Sequence, residues 1–167
     1  MPSFQTTQIV RFTAEQMFDL VADIEAYPEF LPLCEGLRIR ERRTSVDGHP
    51  QLIADMTCGY KAIRETFTSR VTLNAPERKI LVEYIDGPFS HLHNQWTFEQ
   101  SPASYAPGGS AVHFHIDYAF KSAMLGMLVG AMFDRAFRHF LVAFGDRAAA
   151  VYGGAADGGQ RVQPAPI

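Results

Sequence analysis

The 167-residue sequence is poor in cysteine, in net charge and in long apolar runs. Its two cysteines, Cys34 and Cys58, are too few for a disulfide framework, and neither has a second cysteine at metal-ligand spacing. We therefore predict two reduced, buried thiols. The net charge of −3 excludes an overall basic field for nucleic acid. The most apolar stretch, Ala123 to Phe133, has only eleven residues, which is too short for a transmembrane helix.

What the sequence does contain is enough apolar material for one globular domain. Hydrophobic residues make up 47% of the chain and charged residues 20%, a balance typical of globular proteins. Residues 101–110 (SPASYAPGGS) combine prolines with a Gly-Gly pair and predict an exposed loop. The end of the chain is rich in glycine and lacks an apolar period. We therefore predict one domain over residues 1–153 and a flexible tail over residues 154–167.

Alternation of apolar and polar residues indicates antiparallel strands with one wet face. In residues 92–98, for example, Leu92, Trp96 and Phe98 share one face with Asn94, while the intervening residues are polar. The same pattern occurs in four further segments, which are 37–42, 52–60, 63–73 and 112–120. With residues 4–10 and 80–85 included, the sequence predicts about seven strands.

Two short helices are predicted after the first strand. Thr13 is a favourable N-cap for a helix from Ala14 to Ala22, and Gln16 stands at the capping-box position. A second short helix is predicted through residues 27–31, where prolines bound an apolar segment.

A long C-terminal helix is predicted to start after Ser122 and to run to about Tyr152, where Gly153 and Gly154 end it. Its second half is amphipathic, whereas its first half, AMLGMLVGAMF, is apolar on every side. A helix that packs one face against a sheet does not need apolar residues on its other faces, so we expect those faces to contact a ligand, a partner or a membrane. Core packing is the alternative. The order of elements predicts an α+β fold.

Four segments resemble a known family: DIEAYPEFLPLCEG (23–36), GYKAIRETFTSRVTL (59–73), DGPFSHLHNQWTF (86–98) and AFGDRAAAVYG (143–153). The first contains the YPxFLPxC signature. The chain thus resembles the ubiquinone-binding, polyketide-cyclase-like START (SRPBCC) family, which includes the mitochondrial coenzyme Q-binding protein and a bacterial ribosome-association toxin. The resemblance extends from Phe4 to Gly153.

The resemblance implies a helix-grip fold, in which a curved antiparallel sheet wraps around the long C-terminal helix and encloses a hydrophobic tunnel without catalysis. The implied ligand is a long apolar lipid, ubiquinone or a biosynthetic relative, and no other cofactor is expected. The implied role is that of a lipid chaperone for respiratory electron transport. Because no transit extension precedes the first strand, the chain resembles bacterial members, and we expect a cytoplasmic protein with peripheral contact to the inner membrane. The alternative is a toxin-like protein that binds the large ribosomal subunit.

The candidate ligand-binding residues come from the proline-flanked motif, from inward positions of the strands and from the apolar half-helix. The motif is predicted to form a lid over the tunnel mouth, with a packed helix connector as the alternative. We also predict that Leu31→Lys or Leu128→Lys abolishes lipid binding in a folded domain. The full set is Tyr27, Pro28, Phe30, Leu31, Met56, Tyr60, Glu65, Phe67, Phe89, Trp96, Phe114, Tyr118, Met124, Leu128 and Met132.

Glu65 is the acidic member of this set, in register with the inward residues Ile63 and Phe67. A buried carboxylate needs a partner, so we predict that Glu65 pairs with Lys61 or an arginine. Orientation of a quinone head group and a bulge that turns the side chain outward are the alternatives.

Polar residues on the outward faces suggest two weaker hypotheses. Four histidines form two H-x-H pairs, at 91 and 93 and at 113 and 115, a spacing that can bind zinc; simple alternation accounts for them without a metal, and we expect no metal site. A basic stripe beside the lid motif would contact anionic lipid or ribosomal RNA, and the alternative is that it is simply solvated. It consists of Arg38, Arg40, Arg42 and Arg43.

The inner faces of the predicted strands lack paired carboxylates or a nucleophile–base set, so we predict that the protein is not an enzyme.

Overall fold

The computed structural model describes residues 3–100 and 108–153. Seven antiparallel strands form one sheet in the order β1-β7-β6-β5-β4-β3-β2. The predicted α+β helix-grip architecture is confirmed, with seven strands and a long C-terminal helix. The strands are β1 (Ser3–Val10), β2 (Cys34–Thr44), β3 (Pro50–Tyr60), β4 (Ile63–Asn74), β5 (Lys79–Asp86), β6 (Phe89–Gln100) and β7 (Ser110–Phe120).

The first helix, α1 (Ala14–Ala22), has the predicted bounds and the predicted cap. The backbone N–H of Gln16 donates to the Thr13 hydroxyl at 3.0 Å, and the backbone N–H of Thr13 donates to the Gln16 side chain at 2.9 Å. This reciprocal capping box satisfies two backbone donors that would otherwise have no partner in the helix. Since β1 and β2 are the two edge strands, α1 and the segment after it connect opposite ends of the sheet.

The second short helix differs from the prediction. It is a 3-10 helix over Ile24–Glu29, with Pro28 inside it. Proline has no N–H to donate, and a 3-10 helix of only six residues, or about two turns, has few hydrogen bonds to lose. At the end of this helix, the backbone N–H groups of Phe30 and Leu31 both donate to the Tyr27 carbonyl, at 3.1 and 2.8 Å.

The long helix, α2 (Ala123–Ala148), starts at the predicted cap, where the backbone N–H of Leu125 donates to the Ser122 hydroxyl at 3.1 Å. The helical path continues as a wider π-helical turn over Ala149–Gly153, which are the last described residues. The predicted tail, residues 154–167, and most of the predicted loop, residues 101–107, lie outside the described residues.

The sheet has one buried and one wet face, as the alternation predicts. On β6 the inward Trp96 and Phe98 are buried, and on β7 the inward Phe114 and Tyr118 are buried. The outward residues of both strands are partly exposed. The inward face packs against α2, and the space between them contains the candidate site.

Candidate functional site

An apolar cavity lies between the inner face of the sheet and the second half of α2. The enclosed volume of this cavity is about 90 Å³. The cavity is therefore narrow, and aromatic side chains fill much of its cross-section.

The helix contributes one wall of the cavity. The wall is formed by Ala136 and by a stripe of α2 phenylalanines spaced three or four residues apart, which are Phe133, Phe137, Phe140 and Phe144. This spacing places them on one side of the helix. Edge-to-face contacts connect the wall to the sheet: the ring centroids of Phe144 and Trp96 are 5.1 Å apart, and those of Phe133 and Phe89 are 6.1 Å apart.

The proline-flanked lid motif lines the cavity through Tyr27 and Leu31 and packs against α2, which fits the alternative of a packed helix connector, whereas a lid over the mouth stays a prediction. The Tyr27 ring packs edge-to-face on Phe144, with centroids 5.3 Å apart, and its hydroxyl donates to the Val21 carbonyl. Burial raises the pKa of this hydroxyl far above its usual range, and Cys34 and Asp23 add to the effect. On the outside, the Arg147 guanidinium lies 5.1 Å from the centre of the Phe30 ring.

The cavity lining is not uniformly buried. Trp96, Phe114 and Phe144 are buried, whereas the partly exposed lining residues include Leu33, Met56, Cys58, Phe67 and Phe133. We place the mouth of the cavity at these partly exposed residues.

Polar side chains are few in the cavity, and one of them is already satisfied. Asn94 accepts a hydrogen bond from the Trp96 indole at 3.0 Å and donates to the His115 carbonyl at 2.9 Å. Ser69 is also buried and lines the cavity. Among residues 3–100 and 108–153 no side-chain hydrogen bond is formed by the Ser69 hydroxyl, so this group is free to meet a ligand.

Glu65 lines a smaller recess beside the mouth, together with Tyr60 and Val129. The inward register predicted for Glu65 is confirmed. Its predicted ion pair is not formed within the described part of the chain: Arg64 contacts Glu35 at 2.8 Å, and the Lys61 ammonium lies over the Tyr60 ring at 5.2 Å.

The two cysteines face each other across β2 and β3 and line the cavity, as free thiols. Burial raises the pKa of Cys34 to about 11, and burial together with Cys34 and Glu35 raises the pKa of Cys58 to about 12. Both thiols are therefore protonated at neutral pH, which makes them apolar lining groups rather than nucleophiles.

The structure brings about half of the predicted site residues to the cavity. The seven that line it are Tyr27, Leu31, Met56, Phe67, Phe89, Trp96 and Phe114. Tyr60 and Glu65 line the adjoining recess. Pro28 is exposed, Phe30 packs on the outside against Phe144, and Tyr118 packs on Phe137 at 5.2 Å and borders a shallow outer groove.

The predicted residues from the first half of α2 do not enter the cavity. Met124 and Leu128 are 71% and 63% exposed, and Met132 is half-buried outside the cavity. The placement expected for these side chains was wrong, because the helix contacts the sheet mainly through its second half. The phenylalanine stripe of that half, whose spacing is visible in the sequence, forms the cavity wall instead. No helix among the described residues is long and apolar enough to cross a membrane.

The predicted basic stripe is exposed on the edge strand β2, but neighbouring acids neutralise much of it. Arg42 contacts Glu25 at 2.9 Å, and Arg40 contacts Asp55 at 3.6 Å. Arg43 lies 3.7 Å from Glu41, whereas Arg38 has no ion pair within the described ranges. The stripe is therefore less basic than the sequence suggests.

Comparisons with known proteins agree with this architecture. Residues 10–144 match the family described as polyketide cyclase / dehydrase and lipid transport. The ribosome association toxin RatA of Escherichia coli K12 is 36% identical over 152 residues, which are 91% of this chain and 90% of that protein. The coenzyme Q-binding protein COQ10 homolog B of Xenopus laevis, a mitochondrial protein, is 27% identical over 90% of this chain and 59% of its own length. These relatives are named as toxins or binding proteins, not as enzymes.

Solved structures show the same fold. The 18 kDa protein CC1736 from Caulobacter crescentus is 32% identical, with a TM-score of 0.73 over 92% of this chain and 100% of that one. The Zhui aromatase/cyclase from Streptomyces sp. R1128 has a TM-score of 0.75 at 18% identity over 92% of this chain and 98% of that one. From its sequence, its helix-grip fold and its apolar cavity, the chain belongs to the polyketide cyclase / dehydrase and lipid transport family of START-like proteins.

Proposed function

We propose that the protein binds a long apolar lipid, ubiquinone or a biosynthetic relative, in the cavity under α2 and acts as a non-enzymatic lipid chaperone for respiratory electron transport. The observation that carries the proposal is the lining, in which aliphatic and aromatic side chains from the sheet, the lid and α2 surround a few polar groups. Such a lining binds by excluding water, and each CH₂ group of a lipid tail that enters it gains about 0.8 kcal/mol. The coenzyme Q-binding name of one relative points to the same ligand class.

Entry of a lipid requires side chains to move, because the enclosed space is narrow. The side chains at the mouth are suited to this: Met56 and Phe67 are partly exposed, and methionine adapts to irregular shapes. In contrast, the buried end at Trp96 and Phe144 is a fixed aromatic cluster. The lipid would enter at the mouth and displace the flexible side chains first.

Two polar groups are positioned to orient a head group. The Ser69 hydroxyl lies inside the cavity, and the Glu65 carboxylate lies in the recess beside the mouth. A quinone carbonyl accepts hydrogen bonds, so Ser69 can donate to it, whereas the hydroxyl of a quinol or phenol can donate to Glu65.

The exposed half of α2 is the proposed point of contact with the membrane surface. Met124, Met127 and Leu128 are 71%, 86% and 63% exposed and lie on one face of the helix. The next residue, Val129, is buried and lines the recess beside the mouth. Contact of the exposed face with lipid would therefore place the mouth close to the bilayer.

The proposal is tested by the fluorescence of the single tryptophan, Trp96, which lines the cavity. Titration with a short-chain ubiquinone analogue should quench Trp96 with saturation. Ala136→Phe fills the cavity from α2 and should abolish the quenching, whereas the same change at the exposed Ala131 should preserve it. If Ala136→Phe does not fold, Met56→Trp, which blocks the mouth with a larger side chain on β3, is the second test. Its quinone binding, measured by equilibrium dialysis, should also be lost. Equal quinone binding in all folded variants would refute the proposal.

Association with the ribosome is the second candidate function. The observation that favours it is the 36% identity to proteins named ribosome association toxins. The surface proposed for this contact is the β2 edge with Arg38, Arg40, Arg42 and Arg43. Because three of these arginines already contact acids, we expect a weak contact that falls steeply with salt.

Co-sedimentation with ribosomal subunits at low salt tests this second function. The double variant Arg38→Glu/Arg40→Glu should lose binding to the large subunit, and Arg135→Glu on the exposed face of α2 is the charge-matched control. Binding that both variants retain, or that neither salt nor charge reversal weakens, would contradict the β2 surface.

A further inference from the structure

The outer face of the sheet, opposite the cavity, carries a group of metal-binding side chains. β6 and β7 are neighbours, and their register places His93 directly opposite Asp117 and Gln95 opposite His115. His115 and Asp117 are two residues apart on one strand and therefore share a face. His93 is thus adjacent to Asp117 and diagonal to His115, on the same face.

Ligand atoms from these three side chains all lie within 4.8 Å of one another. The His115 Nε2 atom is already 3.2 Å from the Asp117 Oδ1 atom. Two ligands bonded to tetrahedral zinc at about 2.0–2.1 Å are separated by about 3.4 Å, so this pair already has the spacing of one edge of the tetrahedron. Rotation of the His93 side chain, which is on the neighbouring strand, would complete the triangle.

The neighbouring side chains hold two of the three groups in place. The Ser3 hydroxyl donates to Asp117 Oδ1 at 2.9 Å and lies 3.4 Å from His115 Nε2, so it contacts both of these ligand atoms. Glu83, the neighbour of His93 on β5, is held by Arg70 at 3.0 Å. Asp117 is therefore the carboxylate that remains available to a cation beside His93.

We propose that His93, His115 and Asp117 bind a divalent transition-metal ion of the zinc class. Two imidazoles and one carboxylate suit zinc, whereas magnesium and calcium prefer sites made only of oxygen ligands. The three side chains are partly exposed, so the fourth position of the ion would be open to solvent. The bound ion would tie β6 to β7, whose inner faces carry Trp96 and Phe114 of the cavity wall. The site does not depend on the proposed lipid ligand.

The remaining outward histidine of β7 provides a matched control. His113 is hydrogen-bonded through Nδ1 to the Thr7 hydroxyl at 2.8 Å, and its Nε2 atom is 3.6 Å from Glu99. It lies on the same strand and face as His115 but outside the three-residue group. His113→Ala therefore removes an imidazole without touching the proposed ligands.

The test is calorimetric titration of the full, tag-free chain with Zn²⁺, followed by visible absorption after titration with Co²⁺. We expect one saturable Zn²⁺ equivalent and intense tetrahedral Co²⁺ bands. His93→Ala and His115→Ala should each remove both signals, Ser3→Ala should weaken binding severalfold, and His113→Ala should leave it unchanged.

Three results would overturn the proposal. They are no saturable binding by the native chain, binding that survives in both His93→Ala and His115→Ala, and binding that His113→Ala abolishes. Circular dichroism of each variant checks the fold, and the partly exposed position of the proposed ligands predicts little change in stability.

Discussion

The two halves of α2 contrast in composition and in environment. Residues 123–132 are apolar on every side, yet Met124, Met127 and Leu128 are among the most exposed large apolar side chains of the described residues. Residues 133–148 carry many charges, yet their phenylalanine stripe forms the cavity wall. In the second half of α2, the period of the apolar residues identifies the buried face. In the first half, the uninterrupted apolar run instead marks an exposed surface that is suited to a binding partner.

Truncation of one side chain in each half should give the largest difference. Phe144 is fully buried against Tyr27, Phe30 and Trp96, so Phe144→Ala should lower the free energy of unfolding by about 3–5 kcal/mol. Met127→Ala should change it by less than about 0.5 kcal/mol. Urea denaturation measures both changes, and similar values for the two variants would contradict the comparison.

The reactivity of cysteine thiols should also differ between the cavity and the exposed half of α2. Because the pKa values of Cys34 and Cys58 are raised to about 11 and about 12, little thiolate is present at pH 8. Leu128→Cys, in a chain without the native cysteines, introduces an ordinary exposed thiol. At pH 8 this thiol should be alkylated on the order of a hundredfold faster than Cys34 and Cys58 in the native chain.

The pH dependence of both thiol reactions provides the check. Alkylation of the native thiols should continue to rise up to about pH 11, whereas alkylation of the introduced thiol should level off near pH 9. The raised pKa values also mean that the folded state disfavours the thiolates, so stability should fall as pH rises above about 8.5. Native thiols that react as fast as the exposed one at pH 8 would exclude a dry cavity.

Lysine substitutions separate ligand binding from membrane contact. We now expect Leu31→Lys, in the cavity lining, to abolish quinone binding, and Leu128→Lys to preserve it, contrary to the sequence-based prediction for Leu128. Leu128→Lys should instead weaken sedimentation with vesicles by about tenfold, which corresponds to loss of one apolar contact of about 1.4 kcal/mol.

The control for the vesicle experiment is Val46→Lys. Val46 is fully exposed on the turn between β2 and β3, away from α2, so its substitution should not change vesicle binding. Equal effects of Val46→Lys and Leu128→Lys would show that the exposed half of α2 is not the contact surface.

Glycine replacements should give the smallest effects and again differ between the halves. A Cβ atom at Gly130 would meet nothing within 4 Å, so Gly130→Ala should stabilise the helix by about 0.5–1 kcal/mol. A Cβ atom at Gly145 would lie 3.3 Å from the Gln8 amide nitrogen. Gly145→Ala should therefore stabilise the protein less than Gly130→Ala does, or destabilise it. Thermal melts of the two variants would contradict this if Gly145→Ala were the more stable.

Local and periodic features of this fold could be predicted from the sequence. The capping box at Thr13, the alternation that faces Trp96 inward, and the start of α2 at Ser122 each depend on neighbouring residues only. The inward register of Glu65 was predicted for the same reason.

Features that depend on distant parts of the chain could not be predicted in this way. The expected partner of Glu65 was absent because Arg64 contacts Glu35, which lies on another strand. The meeting of His93 with Asp117 required the pairing of β6 with β7. The exposure of Leu128 depends on which face of α2 packs against the rest of the fold, which an all-round apolar segment does not encode.

The central claim is that the cavity under the second half of α2 holds a prenyl quinone. Native mass spectrometry of the chain expressed in its own host, with extraction and identification of the bound lipid, tests this claim most directly. We predict about one quinone or prenylated phenol per native chain and none in folded Ala136→Phe, with full occupancy in Ala131→Phe. An empty native chain, or a quinone retained in Ala136→Phe, would contradict the account.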